Sequence, residues 1–470
     1  MKKRIEMVTS DRFSADERGI SKAVIVLLVV AVALVGVAVF KTLTVGEHIR
    51  WWTVHSGAWA HVDWHIYTEE EYEKLYGDVI ARTDLDNPNF KSAIQNAMLA
   101  GDPPEIWHSW GGSILHEYVG MGMVEDLTDL MNEGWAVSIL PPENRDKLIW
   151  NATWDGRHYG FPYSVGVVQI YINRDLFDQC GVDVPSVEND EVWTWSEFMD
   201  AIQTFKDHGV TPITVAGTEE WQLSFWYMYL VDRIGGPEYF TRTLNRYSGY
   251  SFEDDVFVEA GEKIRELVDA GAFQSTFMAD GYDKAITMFA NGEAAMYLQG
   301  SWEVKTIKTY YNADLNIDVI RFPVIEGKPS DPHSIVVNVQ DYFCLSSTMS
   351  DEDKEKAYNF IRLLGREDVI EKFVTTVGDI CVFDSRVGGG VDISPSLYEP
   401  VINKQISEFS NATHTQMPWD QYSPQQFAQK HLECMKRLFD GSWTPQQVAQ
   451  EQESVAQTLY DSGYLPVSYG

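Results

Sequence analysis

WDGRHYGFPYSVGVVQIYINRDLF, residues 154–177, contains at 167–173 a continuous apolar run of the kind that forms a buried strand. Such runs, which lack alternation of polar and apolar residues, are typical of parallel strands that are covered on both faces. Working outward along the chain, we find further runs at 49–54, 79–82, 105–109, 212–215, 294–298 and 318–322. Together these runs predict the buried strands of an α/β fold.

Amphipathic helices are predicted between and after these strands. Thr194 and Glu197 have the spacing of a capping box, and Ser350 opens a second helix. Pro424 and Pro445 each stand at a predicted first helical position. A strand–helix–strand order over roughly 400 residues fits two α/β lobes, because one core seldom extends over so long a chain. Ligands of such folds bind beyond the carboxyl ends of the strands, which predicts a site in the cleft between the lobes.

The composition excludes several classes of protein. The 470 residues include 70 acidic and 36 basic side chains, for a formal net charge of -34, and such a body repels nucleic acid. A hydrophobic content of 44% excludes bulk disorder. We expect no metal and no cofactor, because the cysteines form no CxxC motif and have no zinc-type spacing. They are interpreted as buried thiols or as one long-range disulfide: Cys180, Cys344, Cys381 and Cys434.

The N-terminal segment determines the predicted compartment. Residues 23–40 are uncharged and almost wholly apolar, which is close to the minimum length for a membrane-spanning helix. The positive-inside rule leaves residues 1–22 in the cytoplasm and places the rest of the chain outside. No cysteine stands directly after the apolar run, so a lipoprotein anchor is excluded. The basic residues that set this orientation are Lys2, Lys3, Arg4, Arg12, Arg18 and Lys22.

Two further features fit export. Residues 18–21, Arg-Gly-Ile-Ser, resemble a prepilin-type signal, which archaeal sugar-binding proteins commonly carry and which leaves the apolar helix on the mature chain. An uncleaved signal anchor would have the same topology. Asn151 and Asn411 each begin an N-glycosylation sequon.

Four blocks of the chain resemble the family 1 extracellular solute-binding proteins, the maltose-binding type. Residues 90–106 end in AGDPPEI, where the family has AGDxPDI, so Glu105 replaces the usual aspartate. Residues 154–177 follow the family's DGKxYGxP and YYNKdLf patterns, and residues 289–302 follow its F..GkaAM...GsW pattern. The helix after Ser350, DKEKAYNFIRLL, corresponds to a family helix that returns to the first lobe. The resemblance covers nearly all of residues 48–470, although the family's tryptophan-bearing pattern near the C-terminus is not clear.

The resemblance implies a two-lobed, periplasmic-binding-protein-like fold of type II. It implies a monomeric, extracytoplasmic sugar-binding subunit of an ABC importer, held at the membrane by the single helix at 23–40. The partners would be a carbohydrate, a permease and a separate ATPase chain. The expected N-lobe comprises 48–163 and 340–388, and the expected C-lobe comprises 164–339 and 389–470. Hinge crossings are expected near 162–166, 334–342 and 386–392.

A sugar site needs aromatic rings that stack on C–H faces and polar side chains that hydrogen-bond the hydroxyl groups. Trp110 and Gly111 follow the third predicted strand, and Ser301 and Trp302 follow a later strand where the family has an aromatic platform. Trp419 and Asp420 are candidates for the unclear C-terminal part of the site. The remaining candidates lie in loops after strands or at crossings: His55, Ser56, Trp59, Tyr163, Ser164, Trp221, Gln222, Asp341 and Tyr342.

A glycosidase and a cell-surface adhesin are the alternatives. A glycosidase needs two carboxylates about 5–9.5 Å apart, and 70 acidic residues offer many candidates for such a pair. No GxSxG, HExxH or Walker A motif occurs, however. A pilin-like adhesin would suit the N-terminal segment, but a pilin has a small head. We therefore expect a binding protein and not an enzyme.

Overall fold

The computed structural model describes residues 48–339, 341–465 and 467, apart from the side chain of Asp146. The segment 1–22 and the anchor predicted at 23–40 lie outside the described residues. Among the residues that are described, no helix is long and apolar enough to span a membrane.

Each predicted apolar run overlaps a strand. The strands are β1 (His48–Thr53), β2 (Val79–Asp84), β3 (Ile106–Ser109), β4 (Thr153–Trp154), β5 (Arg157–His158), β6 (Phe161–Pro162), β7 (Ser164–Asn173), β8 (Thr211–Ile213), β9 (Ala294–Gly300), β10 (Ile317–Ile320), β11 (Ser334–Val339), β12 (Tyr342–Leu345), β13 (Ile380–Cys381) and β14 (His414–Gln416).

Helices separate most of these strands, and a helical block closes the chain. The α-helices are α1 (Ala60–Tyr76), α2 (Asn87–Ala100), α3 (Gly112–Gly120), α4 (Thr128–Met131), α5 (Gly134–Ile139), α6 (Pro142–Leu148), α7 (Arg174–Cys180), α8 (Trp195–Asp207), α9 (Glu220–Gly235), α10 (Tyr239–Leu244), α11 (Asp255–Asp269), α12 (Tyr282–Ala290), α13 (Glu303–Thr306), α14 (Asp351–Leu364), α15 (Glu367–Thr376), α16 (Pro400–Ser410), α17 (Trp419–Tyr422), α18 (Gln425–Phe439) and α19 (Pro445–Asp461).

The predicted helix starts are confirmed, with one small shift. Thr194 and Glu197 form both hydrogen bonds of the capping box at the start of α8. The Ser350 side chain accepts a hydrogen bond from the backbone N–H of Asp353 at the start of α14. Pro445 is the first residue of α19, but Pro424 lies one residue before α18 instead of within it.

Two main sheets hold the two lobes. The first sheet has the order β2-β1-β3-β12-β6, and the second has the order β14-β11-β7-β9-β8 with β10 and β13 also paired to β7. We call the first sheet with the helices packed on it the first lobe, and the second sheet with its helices the second lobe. Ile380 and Cys381 pair within the second sheet, although the predicted boundary at 388 assigns them to the N-lobe.

The long strand β7 corrects the expectation of parallel pairing. All 10 of its residues are buried, but it runs antiparallel to β9, β10, β11 and β13. Val167 and Tyr171 face one hydrophobic core, and Val168 and Ile170 face the other. The continuous apolar run therefore reflects burial between two cores and not the direction of the neighbouring strands.

The crossings between the sheets are short. Only Tyr163 separates β6 of the first sheet from β7 of the second. The return from β11 to β12 occurs between Val339 and Tyr342. The two lobes are therefore joined to each other by strands that run almost directly from one sheet into the other.

The structure shows the state of the cysteines and the exposure of the two sequon asparagines. All four cysteines are buried and free, so no disulfide joins them. Asn151 is 1% exposed, and its side-chain N–H group donates to Asn338 Oδ1 at 2.8 Å. The sequon at Asn151 is therefore not a surface acceptor site, because the amide is enclosed between the lobes. Asn411 is exposed, as a surface sequon requires.

Candidate functional site

A cavity of about 870 Å³ lies between the two lobes, beside the ends of strands from both sheets. Ligand cavities of proteins usually measure about 300–1,000 Å³, so this one is at the upper end of the range. Eight of the side chains predicted from the sequence line it: His55, Ser56, Trp59, Trp110, Trp221, Trp302, Asp341 and Asp420.

Two predicted aromatic residues lie in cores instead of the cavity. Trp419 is fully buried, and its ring stacks on Phe240 at a centroid distance of 3.7 Å. Tyr163 is also fully buried, and its hydroxyl donates to the backbone carbonyl of Leu364 at 3.0 Å. Neither ring is available for stacking on a ligand, because other side chains already cover it.

The other predicted residues that do not line the cavity hold its walls together. Ser164 donates to Asp341 Oδ2 at 2.5 Å, and Tyr342 donates to Asn151 Oδ1 at 2.6 Å. Gln222 accepts from the backbone N–H of Ala216, and Ser301 accepts from that of Val167. At Gly111, a Cβ atom would lie 2.8 Å from Asn151, so this glycine permits a close approach between chain segments.

Three rings on the second lobe form what we call the aromatic platform: Trp221, Tyr282 and Trp302. The centroid of Trp221 lies 6.3 Å from that of Trp302 and 6.0 Å from that of Tyr282. The indole of Trp302 packs directly on Gly300, where a Cβ atom would lie 1.9 Å from the ring. The Gly-Ser-Trp sequence therefore positions this ring because position 300 lacks a side chain.

Tyr282 and Glu219 belong to the site, although the sequence analysis missed both. Tyr282 is the first residue of α12, and its ring lies 5.8 Å from that of Trp59 on the opposite lobe. Glu219 accepts a hydrogen bond from Trp221 Nε1 at 2.8 Å, and burial raises the pKa of this carboxyl group. Glu219 directly precedes α9, the first helix after β8, so a polar residue at a helix start after a strand is the pattern that would have indicated it. Tyr282 opens α12, which follows α11 and a 3-10 turn, so that pattern does not apply to it.

Polar contacts connect the lobes at one side of the cavity. Lys91 Nζ lies 5.1 Å from the centroid of the Trp110 ring and 3.6 Å from Asp420 Oδ2. The Asn338 side chain donates to Gln421 Oε1 at 2.5 Å and to the backbone carbonyl of Trp110 at 3.1 Å. The contacts of Lys91 with Asp420 and of Asn338 with the Trp110 carbonyl join opposite lobes and help to hold them together at this side of the cavity.

A cluster of histidines surrounds Asp341 beneath the cavity. The distances to its carboxylate oxygens are 3.7 Å from His55 Nε2, 3.5 Å from His61 Nε2 and 3.4 Å from His108 Nδ1. All four side chains are at least nine-tenths buried, and the rings of His55 and His61 stack at 3.9 Å. The arrangement brings together nitrogen and oxygen donors from two strand ends, one helix start and one crossing.

Burial dominates the protonation of this cluster. It lowers the pKa of His55 and His65 well below the ordinary value, and it lowers the pKa of His108 to about 4. Burial alone would raise the pKa of Asp341, but the neighbouring His61, His108 and Ser164 lower it below its usual value. Burial raises the pKa of the nearby Asp379 to about 6.

Two α/β lobes with a large cavity between them, lined from both sides, define a solute-binding protein that encloses its ligand. The model of the family described as bacterial extracellular solute-binding proteins matches residues 63–369. The chain belongs to this family.

Individual relatives share low sequence identity with this chain. The chain is 26% identical over 226 residues to the multiple sugar-binding protein of Streptococcus mutans, across 47% of this chain and half of that protein's length. It is 22% identical over 383 residues to an uncharacterised ABC transporter extracellular-binding protein of Pyrococcus horikoshii, across 79% of this chain and 78% of the other. Both relatives are named as binding proteins, so the enzyme alternative is not favoured.

The fold also has a close counterpart among solved structures. A structure described with xylan utilization by Caldanaerobius polysaccharolyticus superimposes with a TM-score of 0.77 and 26% identity. The superposition covers 87% of this chain and 99% of the other. The two-lobed α/β fold expected from the sequence is therefore confirmed.

Proposed function

We propose that the protein captures a carbohydrate in the interlobe cavity and delivers it to the permease of an ABC importer. One observation carries this proposal: an aromatic platform on the second lobe shares a single cavity with polar side chains of both lobes. Flat rings suit the C–H faces of sugars, and carboxylates, amides and hydroxyls suit their hydroxyl groups. The names of the relatives from Streptococcus mutans and Pyrococcus horikoshii support both parts of the proposal.

The size of the cavity favours an oligosaccharide over a single sugar. A volume of about 870 Å³ is large for one ring, and the platform presents several rings side by side. We propose that the solute first contacts the platform and that rotation of the lobes then encloses it. The rotating bodies would be 48–163 with 340–388 and 164–339 with 389–470. Closure is favoured only by as much as the solute binds the closed form more tightly than the open form.

Calorimetric titration of the full chain with xylo-, malto-, chito- and galacto-oligosaccharides tests this proposal. We expect saturable binding of at least one series, with affinity that increases from the monosaccharide to a short oligomer. Small-angle scattering at saturation should show a smaller radius of gyration, and no compaction would count against closure of the lobes. If no carbohydrate binds and only peptides or other solutes raise the melting temperature, the proposed class of ligand is wrong.

We also propose that residues 23–40 anchor the protein on the outer face of the membrane. The basic residues before this apolar run and the extracellular character of the family support the proposal. The full chain should sediment with membranes and be cleaved by protease added to intact cells. A variant lacking residues 1–40 that still sediments with membranes would contradict this topology.

A further inference from the structure

We propose that the histidine cluster beneath the cavity binds one divalent transition-metal ion of the Zn²⁺ class, through His55 Nε2, His108 Nδ1 and Asp341 Oδ1, with His61 beside Asp341 Oδ2. The candidate ligand atoms of His55, His108 and Asp341 all lie within 4.8 Å of one another. A second group with the same property consists of His61, Asp341 and Asp379. Asp341 is common to both groups.

The spacing of the donor atoms fits an ion better than direct hydrogen bonds. His108 Nδ1 and His55 Nε2 lie 3.4 Å and 3.7 Å from Asp341 Oδ1. In a tetrahedral zinc site, bonds of roughly 2.0–2.1 Å place neighbouring ligand atoms about 3.3 Å apart. The side chains therefore already have nearly the separation that a shared ion imposes, and small rotations would complete it.

The polar atoms of the cluster are incompletely satisfied in the described part of the chain. Neither ring nitrogen of His61 has a hydrogen-bond partner there, although this side chain is only 2% exposed. Nε2 of His108 and Nδ1 of His65 also have none among the described residues. Buried polar groups without hydrogen-bond partners are uncommon, and among these atoms His61 Nε2 lies beside the proposed ligands, 3.5 Å from Asp341 Oδ2. These histidines and Asp341 line a separate small cavity of about 10 Å³.

Neighbouring side chains orient the proposed ligands. The Thr53 hydroxyl lies 3.3 Å from His55 Nδ1, which leaves Nε2 of that ring for the ion. The Ser164 hydroxyl donates to Asp341 Oδ2 at 2.5 Å, which leaves Oδ1 for the ion. Contacts of this kind fix ring orientation and tautomer in metal sites. Imidazole and carboxylate together suit Zn²⁺ and similar ions.

The position in the fold suggests what the ion would do. His55, His61 and His108 belong to the first lobe, whereas Asp341 lies on a crossing and is bonded to Ser164, the first residue of β7. An ion held by these residues would attach the crossing to the first lobe. Loaded protein is therefore expected to be more stable than the metal-free form, and its crossing is expected to be more rigid.

Metal titration of the untagged full chain, stripped with a chelator, tests the site. We expect one Zn²⁺ per chain by elemental analysis and a higher melting temperature with ZnCl₂. With CoCl₂, the visible absorption of a low-symmetry, four- or five-coordinate Co²⁺ should appear and saturate at one equivalent. X-ray absorption at the zinc edge should show nitrogen and oxygen neighbours, including imidazole, and no sulfur.

Substitutions distinguish this site from adventitious binding. His108→Ala and His55→Ala should each abolish stoichiometric Zn²⁺ binding, and Thr53→Val should weaken it about 10- to 100-fold. His333→Ala is the matched control, because His333 Nε2 lies 3.2 Å from Asp190 in another histidine–aspartate pair outside the cluster. This control should bind Zn²⁺ as the unmodified protein does.

Several outcomes would overturn the proposal. They are an unmodified protein that binds no stoichiometric Zn²⁺ or Co²⁺, a zinc edge with sulfur neighbours, or binding that survives in His108→Ala. The spectroscopic results on the unmodified protein decide the matter even if a variant fails to fold. Carbohydrate binding is measured separately on metal-free protein, so its success or failure does not affect this result.

Discussion

The two faces of the cleft are built from different side chains. The second lobe contributes Trp221, Phe225, Tyr282, Trp302 and Tyr311 to the cavity lining. Among its described residues, the first lobe contributes two large rings to it, Trp59 and Trp110, together with mainly polar and charged residues. We infer that contact area, and hence affinity, comes chiefly from the second lobe, whereas selection among hydroxyl patterns comes chiefly from the first.

The buried histidines of the two lobes also differ, in whether their ring nitrogens have hydrogen-bond partners. His431, in the core of the second lobe, has Nε2 2.7 Å from Ser224 Oγ and Nδ1 2.9 Å from Gln452 Nε2. His61, in the first lobe, has a hydrogen bond at neither nitrogen among the described residues. A histidine that serves packing has its polar atoms satisfied, so the unsatisfied cluster at the cleft is better explained by a ligand than by folding.

Trp302→Ala is expected to have the largest effect on binding. Loss of this platform ring should weaken carbohydrate affinity by at least about 2 kcal/mol, roughly 30-fold, because buried aromatic anchors carry much of the energy of an interface. Calorimetry with the best oligosaccharide measures the change. Trp154→Ala is the matched control, since Trp154 is 38% exposed and does not line the cavity. Equal losses in both variants would contradict a dominant second-lobe platform.

Gly300→Ala tests the position of the ring without removing it. The new methyl group would lie 1.9 Å from the Trp302 indole, so the ring must move, at a cost of about 2 kcal/mol in affinity. Gly120→Ala, at a helical position where a Cβ atom meets nothing within 4 Å, should leave affinity unchanged. Unaltered binding by Gly300→Ala would mean that the orientation of Trp302 is unimportant.

His431, whose two ring nitrogens both have hydrogen-bond partners, is expected to make the stability of the protein depend on pH. Burial lowers the pKa of His431 from its ordinary 6.5 to about 3, so between these values the unfolded chain binds a proton that the folded chain does not. This contribution to stability is present above pH 6.5 and is lost as the pH falls, by about 1.4 kcal/mol for each unit. Between pH 6 and pH 5, the free energy of unfolding measured with urea should fall by about 1.4 kcal/mol less in His431→Gln than in the unmodified protein. The same loss in both proteins would show that another group is responsible.

Ser56→Ala is expected to have the smallest effect. Its hydroxyl lies on the polar face of the cavity, and loss of one hydrogen bond to a sugar should weaken affinity by about 1 kcal/mol, roughly fivefold. The effect should differ between oligosaccharides with different hydroxyl patterns, which calorimetry on two series measures. Ser462→Ala, at an exposed helix end, serves as the control. A uniform loss across all sugars would argue against a selective role for the first lobe.

Strand positions and helix starts were predictable because they follow from local patterns. The apolar run at 167–173 and the capping box at Thr194 appear in the structure where the sequence predicts them. Strand direction was not predictable, because the run in β7 reports burial between two cores, and its antiparallel pairing depends on distant segments. Local sequence carries no information on that choice.

Part of the site was predictable from residues that follow the ends of strands. Trp110 and Trp302 were found in this way, whereas Trp419 was misplaced because an exposed and a core tryptophan at a helix start have the same local pattern. The grouping of His61 and His108 with Asp341 was missed since the three are far apart in sequence. Only the packing of α1 and β3 against the crossing brings them together.

The short crossings restrict how the protein can select its solutes. With only Tyr163 between β6 and β7, few backbone dihedral angles are free to change, and the lobes can turn about essentially one axis. Sliding of one lobe along the other would have to be absorbed at this crossing by Tyr163 alone. The lobes are therefore poorly able to close to different extents around solutes of different length. Side chains at the two ends of the cavity must instead discriminate between solutes by length.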